Sequence, residues 1–263
     1  MPSSRSASPI SRSSEGGPAL AHPAAALACK LALAPLLVAQ AIATRRRALV
    51  LPEASGPRDG HTDTASGTPL RLLVAGDSSA AGVGVSRQED AVTGHLVRAL
   101  QRRIDRPIVW SLRARSGLTT RGIHRLLQDE PPRAVDIAVV ISGVNDVVDQ
   151  VGASRAVRHR AALADWLLTN GLARHVVYAP LPPIHRFPLL PEPLRRVLGG
   201  DARRHDRALA RWAATRRNIS HAAFEIDLNR GTMSSDGFHP GEPVYRACGE
   251  GLADHVARIL ARV

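Results

Sequence analysis

The sequence predicts an α/β chain, a three-layer α/β/α sandwich built on a mainly parallel five-stranded sheet. Three observations carry that expectation. From Leu70 onward, short apolar runs alternate with amphipathic stretches. The runs are continuous rather than alternately polar and apolar, as parallel strands covered on both faces require. And 263 residues, 44% of them hydrophobic, are enough for one good-sized α/β domain plus a tail.

The strand candidates are residues 69–75 (PLRLLVA), 108–112 (IVWSL), 137–141 (IAVVI), 175–179 (HVVYA) and 223–227 (AFEID). Helical candidates lie near 90–103, 118–128, 153–170, 193–217 and 243–262. The last is the clearest, since Val244, Ala247, Gly251, Leu252, His255, Val256, Ile259 and Leu260 fall near one stripe. Strand–helix alternation implies right-handed crossovers. No internal repeat is visible.

Residues 1–68 read as an N-terminal region separate from a domain spanning 69–263. Residues 1–17 are rich in Ser, Pro, Gly and Arg without apolar periodicity, and are expected to be disordered. Residues 24–43 are Ala- and Leu-rich, are interrupted by Lys30 and Pro35, and run into Arg45-Arg46-Arg47. Their apolar part, 31–43, falls short of the roughly 20 residues a spanning helix needs. Three readings stay open for it: a signal-peptide core ending at Ala41-Ile42-Ala43, an interfacial anchor whose arginines meet anionic lipid, or a helix packed on the domain. Residues 52–68, with Pro, Gly, Ser, Asp and Thr throughout, read as a linker with little to bury.

The formal charge of +12 is almost all arginine, Lys30 being the single lysine. Outside the Arg45–Arg47 triplet, the arginines are interspersed with acidic residues on helical stretches, as on solvated faces. Only 3% of residues are aromatic, which argues against readers that stack on bases. No specific nucleic-acid partner is expected; a small-molecule ligand is, with peripheral membrane contact through the N-terminal region. The location expected is cytoplasmic or peripheral to a membrane. Cys29 and Cys248 fix no disulfide framework.

Four short blocks stand where strands end: Gly76-Asp77-Ser78, Ser116-Gly117, Gly143-Val144-Asn145-Asp146, and Asp236-Gly237-Phe238-His239-Pro240. Open α/β sheets gather their chemistry outside the carboxyl ends of the strands. A serine at a strand-to-helix turn offers both a hydroxyl and a backbone N–H, so Ser78 is a candidate nucleophile and oxyanion donor. Such a serine needs a base, and the base needs a group that holds its tautomer. His239 and Asp236, three residues apart on one turn, supply the pair. The Asn145 side-chain amide is a candidate oxyanion donor, and Gly117 a second unobstructed N–H. Asp146 reads as a structural hydrogen-bonding residue.

In block order, spacing and α/β pattern, from about Leu70 to Leu260, the chain resembles the SGNH hydrolases, also called the GDSL esterase/lipase family. The resemblance implies a flavodoxin-like fold, Ser78 as nucleophile, and a triad completed by Asp236 and His239. It also implies an oxyanion hole formed by Ser78, Gly117 and Asn145. The expected activity is hydrolysis of acyl esters through an acyl-enzyme. Carbohydrate O-deacetylation and thioester hydrolysis by the same residues stay open, because fold does not choose among them. A non-catalytic membrane- or nucleic-acid-binding scaffold is the alternative from another class. The Pro-rich segment 179–191 is expected to form a lid, one wall of an acyl pocket, or a rigid surface connection. No metal-ligand spacing, phosphate-binding glycine loop or Gly-x-Ser-x-Gly elbow is present, so no metal or cofactor is expected.

Overall fold

Six strands form one sheet in the computed structural model, which describes residues 28, 30–47, 49–62 and 67–262. They are β1 (Asp59–His61), β2 (Leu70–Gly76), β3 (Ile108–Ala114), β4 (Val135–Ile141), β5 (Ala173–Tyr178) and β6 (Ile219–His221), in the spatial order β1-β3-β2-β4-β5-β6. β2 to β6 are mutually parallel, and β1 runs antiparallel along β3. The chain moves from β2 outward to β3 and then back across to β4. The order of the parallel strands therefore reverses beside β2, which opens a crevice at the carboxyl ends of β2 and β4. The loops bearing Ser78 and Asn145 begin there. This is the flavodoxin-like arrangement.

The continuous apolar runs follow from two-sided burial. Leu73 and Ala75 of β2, with Ala138 and Val140 of β4, face one core; Leu72 and Val74, with Ile137 and Val139, face the other. The helices are α1 (Ala34–Arg47), α2 (Val92–Gln101), α3 (Thr120–Asp129), α4 (Val144–Val148), α5 (Ala153–Thr169), α6 (Leu194–Ala213) and α7 (Glu242–Leu260). Ile123 and Leu127 of α3, Leu163 and Leu167 of α5, and Leu198 and Leu209 of α6 fill the first core. Leu96 and Leu100 of α2, with Leu252 and Val256 of α7, fill the second. The three layers are complete. All five expected helices are present; α4, too short to show periodicity, and α1, in the N-terminal region, are additional.

The sheet differs from expectation at both edges. Residues 223–227 form no strand: the ladder to β5 is made by Ile219–His221, Ala222 N–H adds a bond to Tyr178 O (2.9 Å), and no described strand lies beside the residues that follow. Ala222 and Leu228 are buried and Phe224 and Ile226 half-buried, alternating with exposed Ala223, Glu225 and Asp227. That alternation is what extended chain against an apolar wall requires, and it reads the same as a strand. At the other edge, the expected linker 52–68 is partly built into the domain. Ala54 N–H donates to Ala81 O (3.2 Å), Ser55 N–H to Ser86 O (3.0 Å), Gln88 N–H to Ser55 O (2.7 Å) and Leu112 N–H to Arg58 O (2.6 Å). β1 then completes the sheet. A polar segment satisfied by backbone bonds needs no apolar pattern, so composition alone gave no warning.

α1 lies against the domain through half-buried Leu37, and none of its residues is fully buried. No described helix is long and apolar enough to cross a membrane. Residues 1–17 and Cys29 lie outside the described residues.

A chain beginning at Pro52 should therefore fold and keep its activity. One beginning at Thr68, without Ala54 and β1, should melt roughly 5–10 °C lower, the shift expected for losing about 2–3 kcal/mol in a domain of this size. Thermal denaturation followed by circular dichroism decides it; equal melting of the two would show that residues 52–62 merely drape over the sheet.

Candidate active site

The loop after β2 and the loop before α7 are pressed together. Gly84 has φ +108°, and a Cβ there would lie 2.2 Å from Pro240 O, so only glycine permits the approach. Tyr245 Oη, from the first turns of α7, donates to Val83 O (2.6 Å) and fastens the same contact. Ser78 Oγ consequently stands 3.1 Å from His239 Nε2, although the residues are 161 apart in sequence. His239 Nδ1 is 2.6 Å from Asp236 Oδ2. With the Nδ1 proton shared with the carboxylate, Nε2 is left to accept the hydroxyl proton of Ser78.

Asp236 is held from several sides. Its Oδ1 accepts from Ser234 Oγ (2.7 Å), Phe238 N–H (2.9 Å) and His239 N–H (2.9 Å). Burial pushes its pKa up, but the hydrogen bonds from His239, Ser234 and the two backbone N–H groups together outweigh burial and hold the carboxyl well below the usual range. The group stays an anion. The turn itself is closed by Gly237 N–H to Ser234 O (3.0 Å) and Ser234 N–H to His239 O (3.0 Å).

Gly117 lies on the loop after β3 and Asn145 in the first turn of α4, and the two segments are bonded to each other. Asn145 Nδ2 donates one hydrogen to Leu118 O (2.9 Å), which fixes the amide and leaves its second hydrogen unused by that bond. Gly143, the cap of α4, has φ +126°, and a Cβ would come within 2.3 Å of Arg160 Nη2. The backbone N–H groups of Ser78 and Gly117 have no hydrogen-bond partner among the described residues.

Asp146 has the structural role expected of it. Fully buried, its Oδ2 accepts from Thr120 Oγ1 (2.6 Å) and Thr120 N–H (3.2 Å), and it lies 4.0 Å from the buried Arg160 guanidinium. Arg160 Nη2 also donates to Ser142 O (3.3 Å). The loops after β3 and β4 are thus tied at their bases. Glu53 adds a brace from the N-terminal segment: its Oε1 accepts from Ser116 N–H (2.7 Å), and its Oε2 pairs with Arg58 (2.5 Å), whose other nitrogen donates to Ala114 O (2.7 Å). Glu53, Arg58, Thr120 and Arg160 were not singled out in the sequence. Thr119-Thr120 carried a readable signal, since Thr119 caps α3 through its side chain. One arginine among so many carried none.

A narrow apolar cleft of about 60 Å³ opens beside Ser78 and His239. The Pro-rich segment 179–191 forms one wall, with Pro180, Pro182 and Phe187. Leu189 N–H donates to Gly237 O (3.0 Å), and Phe187 meets Phe238 edge to face at 5.2 Å, so this wall also supports the histidine loop. Phe224, Ile226 and Leu228, from the segment after β6, also line the cleft. Cys248 lies in the lining, and burial pushes its thiol up to about 12, which makes it an inert filler.

Known proteins resemble this chain in sequence and in fold. Residues 74–247 match the GDSL-like Lipase/Acylhydrolase family. A GDSL-like esterase of Mycobacterium tuberculosis is 26% identical over 241 residues, 80% of this chain and 72% of that protein. Among solved structures, a lipase from a goat rumen metagenome superposes with a TM-score of 0.59 at 18% identity, over 72% of this chain and 97% of that one. A carbohydrate acetylesterase from Sinorhizobium meliloti does so with a TM-score of 0.51 at 18% identity, over 72% and 99%. These two likenesses are of fold. The family match covers most of the chain and takes in all four blocks, so this protein belongs to the GDSL-like lipase/acylhydrolase family and is a hydrolase acting on ester bonds.

Proposed function

We propose that the protein is a serine esterase for short apolar acyl groups, working through a Ser78–His239–Asp236 triad and an acyl-enzyme. The observation that carries this is the unbroken hydrogen-bonded chain from Ser78 Oγ through both ring nitrogens of His239 to Asp236. Ser78 Oγ bonds to the ester carbonyl carbon while His239 Nε2 takes its proton, and Asp236 stabilises the imidazolium. The negative charge on the carbonyl oxygen is met by the Ser78 and Gly117 N–H groups and the free hydrogen of Asn145 Nδ2. His239 returns the proton to the alcohol oxygen as the C–O bond breaks. Water, deprotonated by His239, then releases the acid and restores Ser78.

The cleft bounds the acyl group. Its 60 Å³ corresponds to about four to six water-sized spheres, enough for a short chain. Its apolar lining favours aliphatic acids. The same small volume also accepts acetyl, which supports a second reading as a carbohydrate O-deacetylase, the activity named for the Sinorhizobium structural relative.

A fluorophosphonate probe should label Ser78, and Ser78→Ala should abolish both labelling and ester turnover without unfolding the chain. Across p-nitrophenyl esters, kcat/KM should peak between acetate and butyrate and fall at octanoate. Label on Ser79, or near-normal turnover by Ser78→Ala, would sink the assignment; faster deacetylation of sugars than of any simple ester would select the second reading.

Asn145 should donate more strongly to the tetrahedral intermediate than to the ground-state carbonyl. Asn145→Ala should therefore lower kcat by roughly 10²–10³-fold with little change in KM. Steady-state kinetics on a folded variant test this, and unchanged kcat would remove Asn145 from the site.

Asp77, immediately before the nucleophile, is buried with Ser79 N–H on its Oδ1 (3.0 Å). Burial pushes its carboxyl up to about 7, and the charge of Asp146 adds to this against the opposing Ser79 bond and His239. A folded-state pKa above the unfolded value of about 3.9 means that the fold favours the neutral acid. The stability is whole below the unfolded pKa and is lost as pH rises through the folded one. The melting-temperature gain of Asp77→Asn over wild type should thus grow from pH 4.5 to 7.5 and level off above. A gain independent of pH would show that Asp77 does not titrate in this window.

A further inference from the structure

α1 and the turn before it present a mainly apolar side outward, while the side against the domain is mixed. The stripe turned toward the domain is Lys30, Leu33, Ala34, Leu37, Gln40 and Thr44, half-buried at helical spacing. Its polar members are engaged: Lys30 Nζ pairs with Asp201 (2.5 Å) and donates to Gln150 Oε1 (3.2 Å). Gln40 Nε2 donates to Glu192 O (2.7 Å) and its Oε1 accepts from Leu194 N–H (3.2 Å). The outward side is apolar. Leu31, Leu36, Val38 and Ile42 are 67%, 47%, 57% and 49% exposed, with Ala32, Pro35, Ala39, Ala41 and Ala43 also exposed between them. A surface helix in water keeps its apolar stripe inward and its polar face out. Burying this face in protein would leave Arg45, Arg46 and Arg47, all exposed at its end and without ion-pair partners among the described residues, to be desolvated or matched one by one. A lipid surface accepts both features at once, with acyl chains for the apolar side and anionic headgroups for the arginines.

We propose that α1 is an interfacial membrane helix, seating its outward face in an anionic bilayer surface while Lys30 and Gln40 hold the folded domain against its other side. It lies in the plane of the surface, because it is neither long nor apolar enough to cross. Gln40 grips Glu192 and Leu194 just beyond the Pro-rich wall of the cleft, so the membrane-seated element is joined to the segment that bounds the substrate. The inference stands apart from ester hydrolysis and is tested without it.

The full chain is mixed with vesicles of phosphatidylcholine, with and without phosphatidylglycerol, and floated on a density gradient. It should float with the anionic vesicles. Replacing Arg45, Arg46 and Arg47 by Gln should weaken that binding on the order of 100-fold and abolish the preference for anionic lipid, and high salt should do the same to the wild type. Replacing Leu31, Leu36, Val38 and Ile42 by Gln should remove flotation on both vesicle types. Both variants should keep the wild-type melting temperature, because every changed side chain is exposed. The proposal is overturned if the wild type does not float or if the apolar variant floats as well as wild type. It is equally overturned if the apolar substitutions dissociate a wild-type dimer that shows no affinity for vesicles, since a second copy would then be what covers this face.

Discussion

Gly84 against the Pro240 carbonyl is the contact on which the site depends. Ser78 and His239 come from opposite ends of the domain's sequence, and their side chains are short. They meet at 3.1 Å only because two backbone segments approach more closely than any Cβ allows. The switch in strand order beside β2 places the two loops at one edge of the sheet, and the glycine removes the last obstacle. A side chain at position 84 would push Ser78 and His239 apart while leaving both present.

A second constraint lies beneath the segments that carry Gly117 and Asn145. Asp146 and Arg160 are both fully buried, an arrangement that costs free energy unless each charge is matched. Burial pulls the Arg160 pKa down, and the Asp146 charge opposes that most strongly. The pair is joined to Thr120 and Ser142, the residues that begin α3 and end the run after β4. These bonds tie Thr120, which opens α3 just beyond Gly117, to Ser142 and Asp146 on either side of Asn145.

The sequence was most legible where burial imposes a pattern. β2, β3, β4 and β5 were found within a few residues, because both faces of each strand are covered, and α7 was found by its stripe. The candidate residues Ser78, His239 and Asp236 were legible because their chemistry restricts residue type and spacing, and the fold brings them into one hydrogen-bonded chain. Residues 223–227 read as a strand because a short run containing Phe224 and Ile226 marks chain lying against an apolar surface, whether or not a partner strand lies alongside. Glu53, Arg58 and β1 were missed because backbone hydrogen bonds and one carboxylate hold them, and neither leaves a trace in hydropathy. Arg160 was hidden by the abundance of its own kind.

The two margins of the sheet are protected in different ways. β1 lies along β3 and covers that margin with the chain's own backbone. Among the described residues β6 has only β5 beside it, and its outer edge pairs with no other strand, the usual template for self-association. It is just three residues long, and the hollow next to it is lined by Arg216, Arg217, Arg258 and Arg262. Two copies approaching margin to margin would have to bring these guanidinium groups together in a space containing no acidic residue among its lining. At this one place the arginine excess works by mutual repulsion, against pairing of one sheet margin with another.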